Sequence, residues 1–155
     1  MHTDVTSSKL KLASMLYCRG KLWRAGSLLN EVEFDFDNSV QPMCGCERRP
    51  PNMELSEAFC EFMLKNDNLE IWTTKLAFCD RFLRDEKFCA PQFVWCEMCR
   101  GAEDEEQYRS NAERKWMNWA EVDARPFMLY LEYLTFRALG VRHRQQEAFT
   151  AFSTS

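Results

Sequence analysis

Gly26-Ser27 followed by Asp35-Phe36-Asp37 has the residue types of a phosphoryl-transfer site: a Gly-Ser turn able to hold nucleotide phosphate, then two carboxylates able to bind paired Mg²⁺ ions. That chemistry needs the carboxylates on alternate strand positions and the Gly-Ser pair at the turn from a strand into a helix. Here Gly26-Ser27 lies inside the apolar stripe Leu22, Ala25, Leu29, Val32, which has the spacing of a helix. No following sheet pattern supplies a third carboxylate. The pair is therefore expected in mid-helix, with no catalytic residues, and the chain is expected not to be an enzyme.

Thiol chemistry is the second possibility. Cys44-x-Cys46 and Cys96-x-x-Cys99 could furnish four thiolates to a tetrahedral zinc ion, which makes Cys44, Cys46, Cys96 and Cys99 the candidate metal ligands. Cys96 and Cys99 stand, however, in the bulky run Phe93-Val94-Trp95-Cys96-Glu97-Met98-Cys99 rather than in a glycine-rich knuckle. The expectation is no metal and no cofactor. The other thiols, with Cys18, Cys60 and Cys79 foremost, are expected reduced and buried as small apolar side chains. Nucleophilic catalysis by cysteine needs a base nearby. His2 belongs to the terminus and His143 to the basic cluster Arg142-His143-Arg144 at the solvated start of the last helix, so neither is placed beside a thiol.

The elements that would position these residues are helical. Thr6, Ser7 and Ser8 offer N-cap oxygens to a first helix over about 9–19, and Gly20 can take the left-handed conformation that ends it. Leu12 with Leu16, and Leu10 with Ala13 and Tyr17, supply ridges to cover the second helix, whose stripe runs from Leu22 to Phe36. The short link at Gly20-Lys21 forces the two antiparallel, and Ala13, Gly20, Ala25 and Val32 fall where a tetratricopeptide-type hairpin needs compact residues. Turn formers fill 37–52. Helical spacing resumes at Leu55, Phe59, Phe62 and Met63, and again as one long stripe of Leu69, Trp72, Leu76, Cys79 and Leu83. Ala90-Pro91 opens a short segment through Val94, Trp95 and Met98. The run Glu103-Asp104-Glu105-Glu106 reads as a solvated loop. Trp116, Trp119 and Val122 share the spacing of one helical face, and Pro126 begins a helix through Phe127, Tyr130, Leu131, Leu134 and Ala138 that Gly140 ends. A last helix through Gln145, Ala148, Phe149 and Phe152 folds back on it as a second hairpin. The expected class is all-α, an irregular array of about six or seven helices with tetratricopeptide-like hairpins. Residues 1–7 are expected disordered, 8–152 form a single domain, and 153–155 fray.

The 155 residues suffice for one domain, and 20 basic against 24 acidic side chains give a charge of −4, without the basic excess of a nucleic-acid binder. The first residues lack the pattern of a secretory signal and no stretch approaches a membrane span, so a soluble cytoplasmic protein is expected, with neither nucleic acid nor membrane as partner.

The segments LKLASMLYCRGKLWRAGSLLNEVEFDFDNSVQPMCGC, LAFCDRFLRDEKFCAP and WMNWAEVDARPFMLYLEYLTF resemble, in this order, the C-terminal helical, tetratricopeptide-like tail of invertebrate, molluscan-type Mab-21 domain proteins. The Cys44-Gly45-Cys46 element, Phe78-Cys79, Phe82-Leu83, Cys89-Ala90-Pro91 and Trp116-Met117-Asn118-Trp119-Ala120 carry the likeness. Those proteins are similar to cyclic GMP-AMP synthase, with a nucleotidyltransferase core before the tail. The resemblance thus implies a tail without its enzyme, and transfers no catalytic or ligand residue.

The expected function is a non-enzymatic helical protein-interaction module for an unidentified protein or peptide partner. One alternative is a C-terminal fragment of a Mab-21 domain nucleotidyltransferase acting in nucleotide-signalling innate immunity. A second is a small structural zinc-binding domain.

Overall fold

The structure, a computed structural model, describes residues 4–43, 64–65, 68–98 and 119–154. Among them the class is all-α, with seven helices and two small two-stranded sheets.

Helix α1 spans Val5–Cys18. It starts at Val5 rather than residue 9, and residues 4–7, expected disordered, belong to the domain. The cause is Asp4. Its Oδ1 caps the helix by accepting from the Ser7 amide at 2.6 Å, while Oδ2 accepts from the Phe78 amide at 2.9 Å. Thr6 and Ser7, expected as caps, are instead buried within the first turns. Ser7 donates to the Phe78 carbonyl at 2.7 Å, and Ser14 donates to the carbonyl of Cys89. The buried face of α1 therefore runs through Ser7, Leu10, Ala13 and Ser14, half of it polar. Leu12, expected in a buried ridge, is rotated outward and 44% exposed.

Helix α2 spans Leu22–Asn38 and buries Ala25, Gly26, Leu29, Val32 and Phe36, the expected stripe together with Gly26. Gly20 links α1 to α2 at φ 70°, where a side chain would be strained. The link makes the two helices antiparallel, and Lys9 on α1 reaches Asp35 on α2 at 2.9 Å.

Strand β1 (Gln41–Met43) pairs in parallel with β2 (Leu76–Phe78). The stripe expected as one helix from Leu69 to Leu83 is divided. Only α3 (Leu69–Lys75) is helical, and the chain continues as β2 and then β3 (Asp80–Leu83), where Asp80 and Phe82 are buried and Arg81 and Leu83 exposed. Strand β3 is antiparallel to β4 (Trp119–Val122), so Trp119 and Val122 lie on a strand rather than the expected helix. Trp116 lies outside the described residues. Across this pair Phe82 faces Ala120, and Arg81 faces Glu121 with a 2.8 Å ion pair. A 3-10 helix (Arg84–Cys89) and α4 (Gln92–Met98) follow, with Val94 and Met98 turned into the core.

Helix α5 (Ala124–Leu139) begins two residues before Pro126, which sits in the first turn where its missing N–H costs no helical hydrogen bond. Gly140 ends it at φ 74°. Helix α6 (Arg142–Thr154) returns antiparallel and includes Ser153 and Thr154, which were expected to fray; the Thr154 hydroxyl donates to the Thr150 carbonyl at 3.2 Å. Helix α5 packs against both α1 and α2, so the two hairpins, far apart in sequence, form one stack. The core gathers Leu10, Leu29, Val32, Phe82, Val94, Met98 and Leu131, with Phe82 and Phe127 edge to face at 5.4 Å. Among the described residues no helix is long and apolar enough to cross a membrane.

Candidate functional site

Two tyrosines spaced by three on α5 meet two phenylalanines spaced by three on α6. Spacing by three places each pair on one helical face, and the antiparallel return opposes them in order. Tyr133 packs on Phe149 at 6.0 Å and Tyr130 on Phe152 at 6.5 Å, while Phe93 of α4 meets Tyr130 edge-on at 5.9 Å. Ala148 alone is buried along α6, which brings the two helices close while leaving the rings at the surface. Phe149 is 57% exposed, Phe93 56% and Phe152 45%. Burial, with the neighbouring Tyr17 and Cys96, pushes the Tyr130 phenol up from its ordinary value, so it stays neutral. The result is a contiguous, uncharged aromatic surface. It can receive apolar side chains.

The seam below this surface is polar. Arg144 of α6 reaches Glu33 of α2 at 2.6 Å, Asn30 of α2 at 2.9 Å, Glu147 at 3.4 Å and Glu132 of α5 at 3.5 Å, with its guanidinium over the Phe136 ring at 5.1 Å. One side chain thus ties three helices together. Glu132 is 2% exposed and its Oε1 has no hydrogen-bond partner. Burial, then the charge of Glu33, pushes its carboxyl up to about 8 against the pull of Arg144. A second buried acid, Asp80, is raised to about 8 by burial and by Asp4, and its Oδ2 is likewise unpartnered. Lys11 beside it donates to the Arg81 carbonyl at 2.9 Å and to Glu86 at 2.8 Å. Both acids are closed off from solvent.

The residues whose spacing suggested chemistry are dispersed. Gly26 lies in mid-helix, as expected, where a Cβ would sit 3.5 Å from Phe136 and 3.8 Å from Thr135 and Leu139 of α5. It marks a helix crossing rather than a phosphate turn. Asp35 pairs with Lys9, and Asp37 lies 4.0 Å from Arg125, so the two carboxylates engage different cations. Of the thiolate quartet, Cys96 is exposed on α4, whereas Cys44, Cys46 and Cys99 lie outside the described residues. Among the described residues no three His, Cys, Asp or Glu side chains gather as metal ligands. His143 is exposed on the first turn of α6; His2 and Cys60 lie outside the described residues. Cys18 is exposed and Cys79 half-buried, which corrects the expectation that both are core thiols. Cys18 sits in the last turn of α1, beyond the buried face. Cys79 stands between two strands, where its thiol donates to Asp123 Oδ1 at 3.1 Å.

Sequence reasoning placed Tyr130, Phe149 and Phe152 on the two helices of one hairpin but did not single out the surface they form. The matching threes on the two arms of the hairpin were the available signal. No protein-family model matches the chain, and no curated protein or solved structure does.

Proposed function

We propose that this chain is a non-enzymatic helical protein-interaction module of the cytoplasm, whose α4–α5–α6 aromatic surface receives the apolar side chains of a partner's helix or extended segment. The observation that carries it is the exposure of Phe93, Phe149 and Phe152 while each makes ring contact with α5. Rings fixed by such contacts lose little side-chain entropy on binding, and large aromatic side chains dominate binding energy where water is excluded. The stacking of one helical hairpin on another supports the tetratricopeptide-like expectation, in which paired helices present an extended face. Charged residues around the rim would set the rate and choice of encounter.

A photo-crosslinking side chain at position 149, compared with one at the exposed Trp23 of α2, tests the proposal in extract of the native tissue. Discrete protein adducts are expected from position 149 and should be lost when Phe93 and Phe152 are both changed to Ala without loss of helical signal. Equal labelling from both positions would refute it.

A further inference from the structure

Ser14 of α1 donates its hydroxyl to the carbonyl of Cys89, which pins the end of the 3-10 helix against one face of α1. Four residues further along the same face, one turn on, stands Cys18. The two cysteines therefore lie on facing elements at one contact, and the Cys18 thiol is held above its ordinary pKa by burial first and by Cys89 second. Cys18 is exposed and Cys89 half-buried, so an oxidant can reach the pair from solvent. Neither is packed in the core.

We propose that Cys18 and Cys89 form a redox-responsive pair, a reversible modification site at which a hydroperoxide closes a disulfide between α1 and the 3-10 helix. In the first step one thiolate attacks a peroxide oxygen; the O–O bond breaks, the alcohol leaves (water, for hydrogen peroxide), and the cysteine becomes a sulfenic acid. In the second the other thiolate attacks that sulfur, forming the S–S bond and expelling hydroxide, which takes up a proton as water. Two thiols are oxidised and one peroxide is reduced, with both thiol protons ending in the products. Burial holds the Cys18 thiol above its ordinary pKa and so protonated at neutral pH, and closure responds to a sustained oxidant rather than a trace of it. The bond would join segments far apart in the chain, and long-loop crosslinks constrain the unfolded state most. It would also fix the end of α1 carrying Tyr17, the electrostatic neighbour of Tyr130 in the aromatic surface. The inference stands independently of what that surface binds.

The test treats the full chain with hydrogen peroxide, blocks free thiols, and maps the peptides by mass spectrometry with and without reductant. The expected product is a peptide pair linked through Cys18 and Cys89, released by dithiothreitol, together with a rise in Tm of roughly 5–10 °C. Cys18→Ser should abolish both effects, whereas Cys79→Ser should retain both. Cys18 and Cys89 remaining free, or running on to sulfinic acid unlinked, would overturn the proposal. So would linkage of either one to another cysteine in place of the pair.

Discussion

The two hairpins, built of helices of 14 and 17 residues and of 16 and 13 residues, serve opposite ends. In the first, α2 buries Ala25, Gly26, Leu29, Val32 and Phe36, and its small residues let α5 approach within ordinary van der Waals distance of a Cβ at Gly26. In the second, α6 buries only Ala148 and turns Phe149 and Phe152 outward. Small residues at a crossing allow dense packing and stability. Large ones left half-covered add little to stability, since apolar area still in water contributes nothing until a partner covers it.

Truncating each hairpin at its contact gives the largest expected contrast. Leu29→Ala should cost about 2–5 kcal/mol through lost burial and a residual cavity, whereas Phe149→Ala should cost under about 1.5 kcal/mol, the worth of an aromatic pair. Denaturant titration of both variants measures the difference. Similar losses would mean that α6 belongs to the core as fully as α2.

The seam between the hairpins gives the next effect, through pH. Glu132 and Asp80 have folded pKa values of about 8, well above the ordinary carboxylate range. Between that range and pH 8 the folded state holds protons that the unfolded state has released, so stability falls as pH rises and levels off above about 8. Each group contributes a slope of up to about 1.4 kcal/mol per pH unit. Glu132 faces Glu33, Arg144, Asp37 and Glu147. Replacing it by the neutral isostere, Glu132→Gln, should leave Tm near wild type at pH 5.5 and raise it at pH 8.5. A lower Tm at pH 8.5 would show instead that ionised Glu132 holds Arg144 and the second hairpin in place.

The smallest effect sharpens the picture of the first hairpin. Gly26→Ala adds a Cβ at 3.5–3.8 Å from its neighbours, which is ordinary contact, and removes the helix penalty of glycine. A gain of about 0.5–1 kcal/mol is expected. Loss of stability in thermal melts would mean that α2 and α5 cross more closely than the structure has them.

Much of the helical frame is legible in the sequence because its signals are local. Gly20 and Gly140 end their helices, Ala90-Pro91 opens a short segment that the structure shows as helix α4, and Leu22 to Phe36 recur at threes and fours, all within a few turns of chain. The first helix was harder to place, since its buried face alternates Leu10 and Ala13 with Ser7 and Ser14, and a pattern of apolar residues alone puts Leu12 in the wrong phase. The aromatic surface was half legible: the threes at Tyr130 and Tyr133 and at Phe149 and Phe152 are in the sequence, but the lack of cover beyond α6 among the described residues is not.

The sequence by itself determined the class, the two hairpins and the mid-helix position of Gly26-Ser27, because the turns and the helical stripes are built from residues close together along the chain. Tertiary structure decided the rest. The segment from Leu76 to Leu83 has apolar residues at helical spacing, and it became strand because Gln41–Met43 and Trp119–Val122 supply backbone hydrogen-bond partners from far along the chain. The packing of distant elements removes Asp4, Asp80 and Glu132 from water; that desolvation, invisible to spacing, raises the carboxyl groups of Asp80 and Glu132, while Asp4 accepts from two backbone amides.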